Sequence, residues 1–380
     1  MKARSLAILA ALFLALSVFA GTASRSVSPR VIQAVSVDRN TLNVAAHESV
    51  VIAATFAAPG EASILVLDRD GYPVRTLAKN QPVQGSASYG WDGRDDGGTV
   101  VPDEAYSLRI DWRNGQRSDE YFPADAPSPM TRIEPRSYNR RTATLAYELP
   151  QPSRIHIQAG TATLDSKTGQ SVGPVMKTVV NREPRSRGLI AEHWSGFDES
   201  GAIFVPDLRD FVVAIAATPL PENAIITFGN AKTRFVDYVG ERRGASLFTH
   251  HDHAGHHFGL TTLDDVSPSL RIEPLNGKWS ATDRTWIVAS GERLRVRLAV
   301  EGPSAAAFLR HPATIERFVD GRRIGGEVPM TSKVIEIPLT RSPETQRVSI
   351  NWNSKWGPVA ANTIRVRQQT ATAANSGTSR

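Results

Sequence analysis

Five of the nine histidines of this 380-residue chain fall within eight consecutive positions: His250, His251, His253, His256 and His257, with Asp252 among them. Imidazole nitrogens ligate zinc, copper and nickel, and a pliable stretch brings three of them to one ion. On a strand His251 and His253 share a face; on a helix His253 aligns with His256 and His257. Transition-metal binding here, or approach to the cofactor of a redox partner, is the chemistry the tract offers. The competing reading is a solvated linker that gathers metal incidentally. Nothing else in the chain requires a cofactor.

Asp92, Asp95, Asp96 and Asp103 form a second concentration of oxygen donors around Gly97 and Gly98. Their spacing is reminiscent of a calcium loop, but Arg94 stands where a third oxygen ligand is needed. Ser195 takes the place of the first aspartate in the related stretch described below. These aspartates read as turn formers whose carboxylates bond backbone amides. A P-loop, an H-E-x-x-H motif and a cysteine nucleophile are all missing from the sequence, and the adjacent Asp264 and Asp265 point apart on a strand. A non-enzyme is expected.

The elements around these residues are strands. From Val35 to Trp112, short β-branched runs alternate with Gly, Pro, Asp and Asn punctuation, the pattern of a β-sandwich. Asp68 to Gly71 separates Ile64–Leu67 from Val74–Leu77 as a hairpin turn. The pattern restarts at Thr142, and comparison of the two stretches exposes an internal repeat. Trp91, Asp92, Gly93, Gly98, Pro102, Asp103 and Tyr106 mark the first copy; Trp194, Gly196, Gly201, Pro206, Asp207 and Phe211 mark the second, with seven positions from Trp to Gly in both. A tryptophan opening a polar, Gly-rich hairpin anchors it on the sandwich, so Trp91 and Trp194 read as architectural and not as a glycan platform.

The first copy resembles the Ig-like domain family of the flagellar hook-cap protein. It supplies Asp68, Gly71, Val74, Arg75, Leu77, Trp91, Asp92, Gly93, Asp95, Gly98, Val101, Pro102 and Tyr106 of that family's pattern, and departs from it with Glu104 where glycine is usual. The resemblance implies an immunoglobulin-like sandwich. It leaves the role open, since one fold hosts many functions. Leu294–Val300, Ile315–Val319, Val334–Leu339 and Val348–Trp352 make a third set of strands, in which Phe318 to Gly325 resembles a hairpin of other bacterial Ig-like domains.

The expected fold is therefore all-β, three tandem immunoglobulin-like β-sandwich domains after a signal peptide. Residues 1–23 read as the leader, with Lys2 and Arg4 before an apolar run. Residues 30–115 are expected to form the first domain, 130–232 the second, 233–267 a His-rich linker, 268–367 the third domain and 368–380 a disordered tail. With no cysteine in the sequence, the domains are held by apolar cores without disulfides, and a bacterial source is expected. The formal charge of +6 falls to +4 without Lys2 and Arg4, and basic residues interleave with acids. Nucleic acid is thus not an expected partner.

Once the leader is cleaved, no membrane span is expected, and the chain is placed in the periplasm or at the cell surface. It reads as a structural or interaction protein docking onto an envelope or surface assembly, with a metal-binding or redox-accessory role at the histidine tract as the alternative. The leader argues against assembly of a flagellar hook, whose cap is exported by another route.

Overall fold

The computed structural model describes residues 30–126, 128–164, 171–243, 268–302, 305, 309, 312–330, 334–354 and 357–369. Both the expected leader and the histidine tract lie outside these residues. Three β-sandwich modules follow one another, and among the described residues no helix is long and apolar enough to cross a membrane.

Module 1 begins with β1 (Ile32–Val37), β2 (Thr41–Asn43), β3 (Val50–Leu67), β4 (Pro73–Trp91), β5 (Ala105–Asn114) and β6 (Arg117–Tyr121). Alternation along β3 sends Val50, Ile52, Ala54 and Phe56 inward while Val51 faces solvent, the period-two signature of a strand with one face on a core. The turn between β3 and β4 is built by Asp68, whose carboxylate accepts the amides of Asp70 and Tyr72 at 2.9 and 3.0 Å. Gly71 there has φ of 82°. β6 folds back on β5, so residues 117–121, between the expected first and second domains, are a paired strand of module 1.

Module 2 holds β7 (Thr131–Ile133), β8 (Ser137–Asn139), β9 (Thr144–Leu149), β10 (Ser153–Thr161), β11 (Thr163–Leu164), β12 (Ser171–Val172), β13 (Val175–Arg185), β14 (Gly188–His193) and β15 (Phe211–Pro219). One sheet runs β13-β10-β15-β7 and the facing sheet β14-β9-β8, with β11 and β12 as a small hairpin. Between them lies a core that includes Tyr147, Ile155, Ile157, Trp194 and Ile215.

The chain then returns to module 1. β16 (Ile225–Phe228) lies parallel to β2 and antiparallel to β5, and α1 (Phe235–Arg243) follows it. Ile225 and Tyr238 belong to the same buried cluster as Leu42, Val50, Trp91 and Tyr106. The expected boundary at 232 and the expected linker from 233 are therefore corrected: residues 225–243 complete the first sandwich. Their apolar side chains, including Ile225, Ile226, Phe235, Val236 and Val239, are buried, which is the physical reason a free linker is not formed.

Module 3 comprises β17 (Ser269–Pro274), β18 (Gly277–Ser280), β19 (Thr285–Val288), β20 (Leu294–Glu301), β21 (Thr314–Val319), β22 (Arg322–Arg323), β23 (Val328–Pro329), β24 (Ile335–Ile337), β25 (Gln346–Ser354) and β26 (Gly357–Gln368). A β17-β20-β24 sheet faces a seven-stranded sheet running from β18 to β22, with β23 paired to β21. The β21–β22 turn places Asp320 and Gly321 at φ of 49° and 82°, the paired positive values of a two-residue hairpin.

Candidate functional site

The two hairpins match bond for bond. Trp91 Nε1 donates to the Arg94 carbonyl at 2.9 Å and Trp194 Nε1 to that of Phe197 at 3.0 Å. The Val101 amide reaches the Gly93 carbonyl, and the Val205 amide that of Gly196. The Asp96 amide bonds the Val74 carbonyl, and the Glu199 amide that of Met176. Gly93 and Gly196 sit at φ of 72° and 85°, and a Cβ would overlap Val44 at the first and Phe204 and Tyr138 at the second. Glycine is thus required at both for space as well as for conformation. Gly98 and Gly201 each donate an amide to the carbonyl of the aspartate three residues earlier. Both tryptophans are buried and ring-packed, Trp91 on Tyr106 at 5.3 Å and Trp194 on Phe211 at 6.1 Å.

The aspartates are occupied by protein hydrogens. Asp92 accepts the Arg94 amide. Asp95, fully buried, accepts the amides of Gly97 and Thr99 on one oxygen, each at 2.9 Å, and the Tyr238 hydroxyl at 2.9 Å on the other, which also meets the Arg242 guanidinium. Burial, then the Asp95 carboxylate, pushes the Tyr238 hydroxyl well above its ordinary range. In module 2, Asp198 accepts the Ala202 and Ile203 amides, and the Ser200 hydroxyl takes the place of the helix.

Sequence reasoning passed over the group that joins the modules. Glu104, 3% exposed, receives Arg69 of module 1 at 3.0 Å and Arg154 of module 2 at 2.6 Å, both arginines being buried as well. The Ala105 amide adds a bond at 2.7 Å. Burial alone would raise this carboxyl, but the two guanidiniums and the amide outweigh it and hold it below the ordinary carboxylate value. Arg69 also lies over the Phe235 ring at 4.2 Å, tying α1 to the same point. The signal was available in the sequence: Glu104 is the one place where the hook-cap pattern has glycine and this chain has a charge.

A second junction joins modules 2 and 3. With the Asn351 amide oriented by its neighbours, the side chain bonds both the N–H and the C=O of Val175, each at 2.9 Å. An open cleft of about 990 Å³ lies where all three modules meet, lined among others by Arg69, Glu104, His156, Arg185, Phe235 and Asn362. Its charges are largely engaged: Arg185 is held by Glu192 at 2.7 Å and Glu183 at 2.8 Å. Burial opposes the Arg185 charge, and these carboxylates more than restore it.

The expected metal ligands His250, His251, His253, His256 and His257 lie outside the described residues. Among the described residues, no group of three or more histidine or carboxylate side chains is placed to hold a metal ion.

No family model matches the chain, and no curated protein matches it. Solved structures similar to it are strings of β-sandwich domains. The tetra-tandem repeat in the extending region of a large adhesion protein is 13% identical, covers 89% of this chain and 74% of its own, and has a TM-score of 0.19. The N-terminal four Ig domains of Dscam1 isoform 4.44 give 10%, 90%, 74% and 0.22. The FN1–FN3 domains of chicken CNTN1 give 10%, 89%, 99% and 0.18. The strand pairing described above carries the assignment of the fold.

Proposed function

We propose that this is an exported, non-catalytic scaffold or docking protein of the bacterial envelope, presenting three immunoglobulin-like modules in a set arrangement to a protein partner. The observation behind this reading is the buried junction at Glu104. A carboxylate shared by Arg69 and Arg154 is satisfied in one relative placement of modules 1 and 2, and such buried ionic contacts act in registration more than in net stabilisation. The Asn351–Val175 pair acts in the same sense between modules 2 and 3. A spacer that fixes its modules offers partners several sheet edges at constant separation, and strand edges recruit partners by pairing.

The test is photo-crosslinking in the source organism, with a photoreactive residue at Leu189, Val212 or Lys278, all exposed. A discrete covalent complex with an envelope protein, formed by a chain lacking residues 1–23, is expected. A chain retained in the cytoplasm, or one with no adduct from any of the three positions, overturns the proposal.

A further inference from the structure

The repeat places a groove in module 2 where module 1 has a strand. Asn43 accepts the amides of Ala45 and Ala46, and Asn139 those of Arg141 and Thr142. His47 and Ala143, each four residues further on, share positive φ values of 55° and 52°. β8 is therefore the counterpart of β2, with Tyr138 for Leu42 and Arg140 for Val44. Phe211 is the counterpart of Tyr106, because each packs on the hairpin tryptophan of its module.

In module 1, β16 lies between those two places. The Ile226 amide donates to the Asn40 carbonyl and the Val44 amide to that of Phe228; Leu42 and Tyr106 are fully buried beneath. In module 2, β8 pairs with β9 on one side and, among the described residues, no strand pairs with its other edge. The floor is aromatic and only half-buried: Tyr138, Phe204 and Phe211, with Phe197 41% exposed and packed edge-on against Phe204 at 5.4 Å. Arg140 lies over Phe204 at 5.2 Å and pairs with Asp207 at the rim. That pair is more than half exposed on both sides, so moving it aside costs little.

We propose that this groove is a docking site for an extended apolar strand of a partner protein, which adds in parallel along the free edge of β8 as Ile225–Phe228 adds to β2. The inference rests on the interaction role proposed above. Its occupant is defined by the internal precedent: a short run of β-branched and aromatic residues, as in Ile-Ile-Thr-Phe, whose carbonyl accepts the Arg140 amide as Phe228 accepts that of Val44. The Phe211 amide is already bonded to the Leu208 carbonyl. The incoming backbone therefore pairs with β8, and its side chains cover the aromatic floor.

The probe is a fluorescein-labelled synthetic peptide with the sequence of residues 222–231, titrated into the purified chain and followed by anisotropy and by amide exchange. Saturable binding with Kd below about 1 mM and protection of the Arg140 amide are expected. Arg140→Pro, which deletes that amide on an exposed edge, weakens binding about tenfold, whereas Arg140→Ala, which keeps it, stays within about threefold. If Arg140→Pro disturbs the fold, the exposed Phe197→Ser change serves instead and weakens binding about threefold or more.

No saturation up to about 1 mM, equal affinity for the proline and alanine variants, an unaffected Phe197→Ser, or protection confined to Leu42 and Val44 overturns the proposal. Peptide binding is read on the isolated chain, so its failure leaves a crosslinked envelope partner standing. Loss of the crosslink in turn leaves the groove's affinity measurable.

Discussion

Modules 1 and 2 carry the same tryptophan hairpin and end as different objects. In both, the indole bonds a carbonyl three residues on, and a buried aspartate organises the turn. In module 1 that aspartate also holds α1 through Tyr238 and Arg242, and β16 fills the gap between β2 and β5. In module 2, Ser200 answers the aspartate, Arg140 lies over the Phe204 ring, and among the described residues no strand pairs with the outer edge of β8. A repeated local motif thus specifies a hairpin and its anchor. Whether the sandwich is closed depends on a segment arriving from more than a hundred residues away.

The largest expected effects test the equivalence of the hairpins. Trp91→Ala and Trp194→Ala should each cost about 3–5 kcal/mol in urea unfolding, the range for emptying a large aromatic site. A cost under about 1 kcal/mol at either site would break the comparison, since a buried anchor cannot be removed so cheaply.

Next is the group present in one copy only. Glu104→Gln leaves two buried guanidiniums without their carboxylate and should cost about 3 kcal/mol or more. The Leu208→Gln change at the same distance after Pro-Asp in module 2, where a partly exposed side chain packs against the module 2 core, should cost less, about 1–2 kcal/mol.

The pH dependence follows from the same carboxyl. Its folded value lies below the unfolded one, so its stabilisation is present above the ordinary carboxyl value of about 4.3 and is lost as pH falls through the folded value. Amide exchange in modules 1 and 2 should accelerate relative to module 3 on acidification below about pH 4. Glu104→Gln should abolish that difference.

Smaller effects sharpen the contrast at the aspartates. Tyr238→Phe removes a hydroxyl donated to a buried carboxylate and should cost about 1.5–3 kcal/mol. Ser200→Ala, at a more exposed position, should cost about 1 kcal/mol. Equal costs would mean that the helix contributes to module 1 no more than a serine does to module 2.

Local spacing made much of this legible. The tryptophan, glycine and aspartate positions of the hairpins follow from the turn chemistry of consecutive residues, and the Asp68–Gly71 turn follows from its flanking alternation. β16 was not legible because Ile-Ile-Thr-Phe is four residues long and carries no period of its own; its partners are Thr41–Asn43 and Ala105–Tyr106. Nine residues of helix from Phe235 to Arg243 likewise give too little repeat to mark an amphipathic face. Glu104 was visible only as a departure from a pattern, and Arg154, its partner across the junction, gave no signal in sequence.

Residues 225–243 are part of module 1, and amide hydrogen exchange of the whole chain tests this most directly. The Ile226 and Thr227 amides, bonded to the Asn40 and Glu104 carbonyls at 2.9 and 2.8 Å, should exchange with the same opening free energy as the Val101 amide of the hairpin and shift with it in Trp91→Ala. Exchange of the 226 and 227 amides at a much lower opening free energy, independent of Val101, would contradict it and return the segment to the status of a linker.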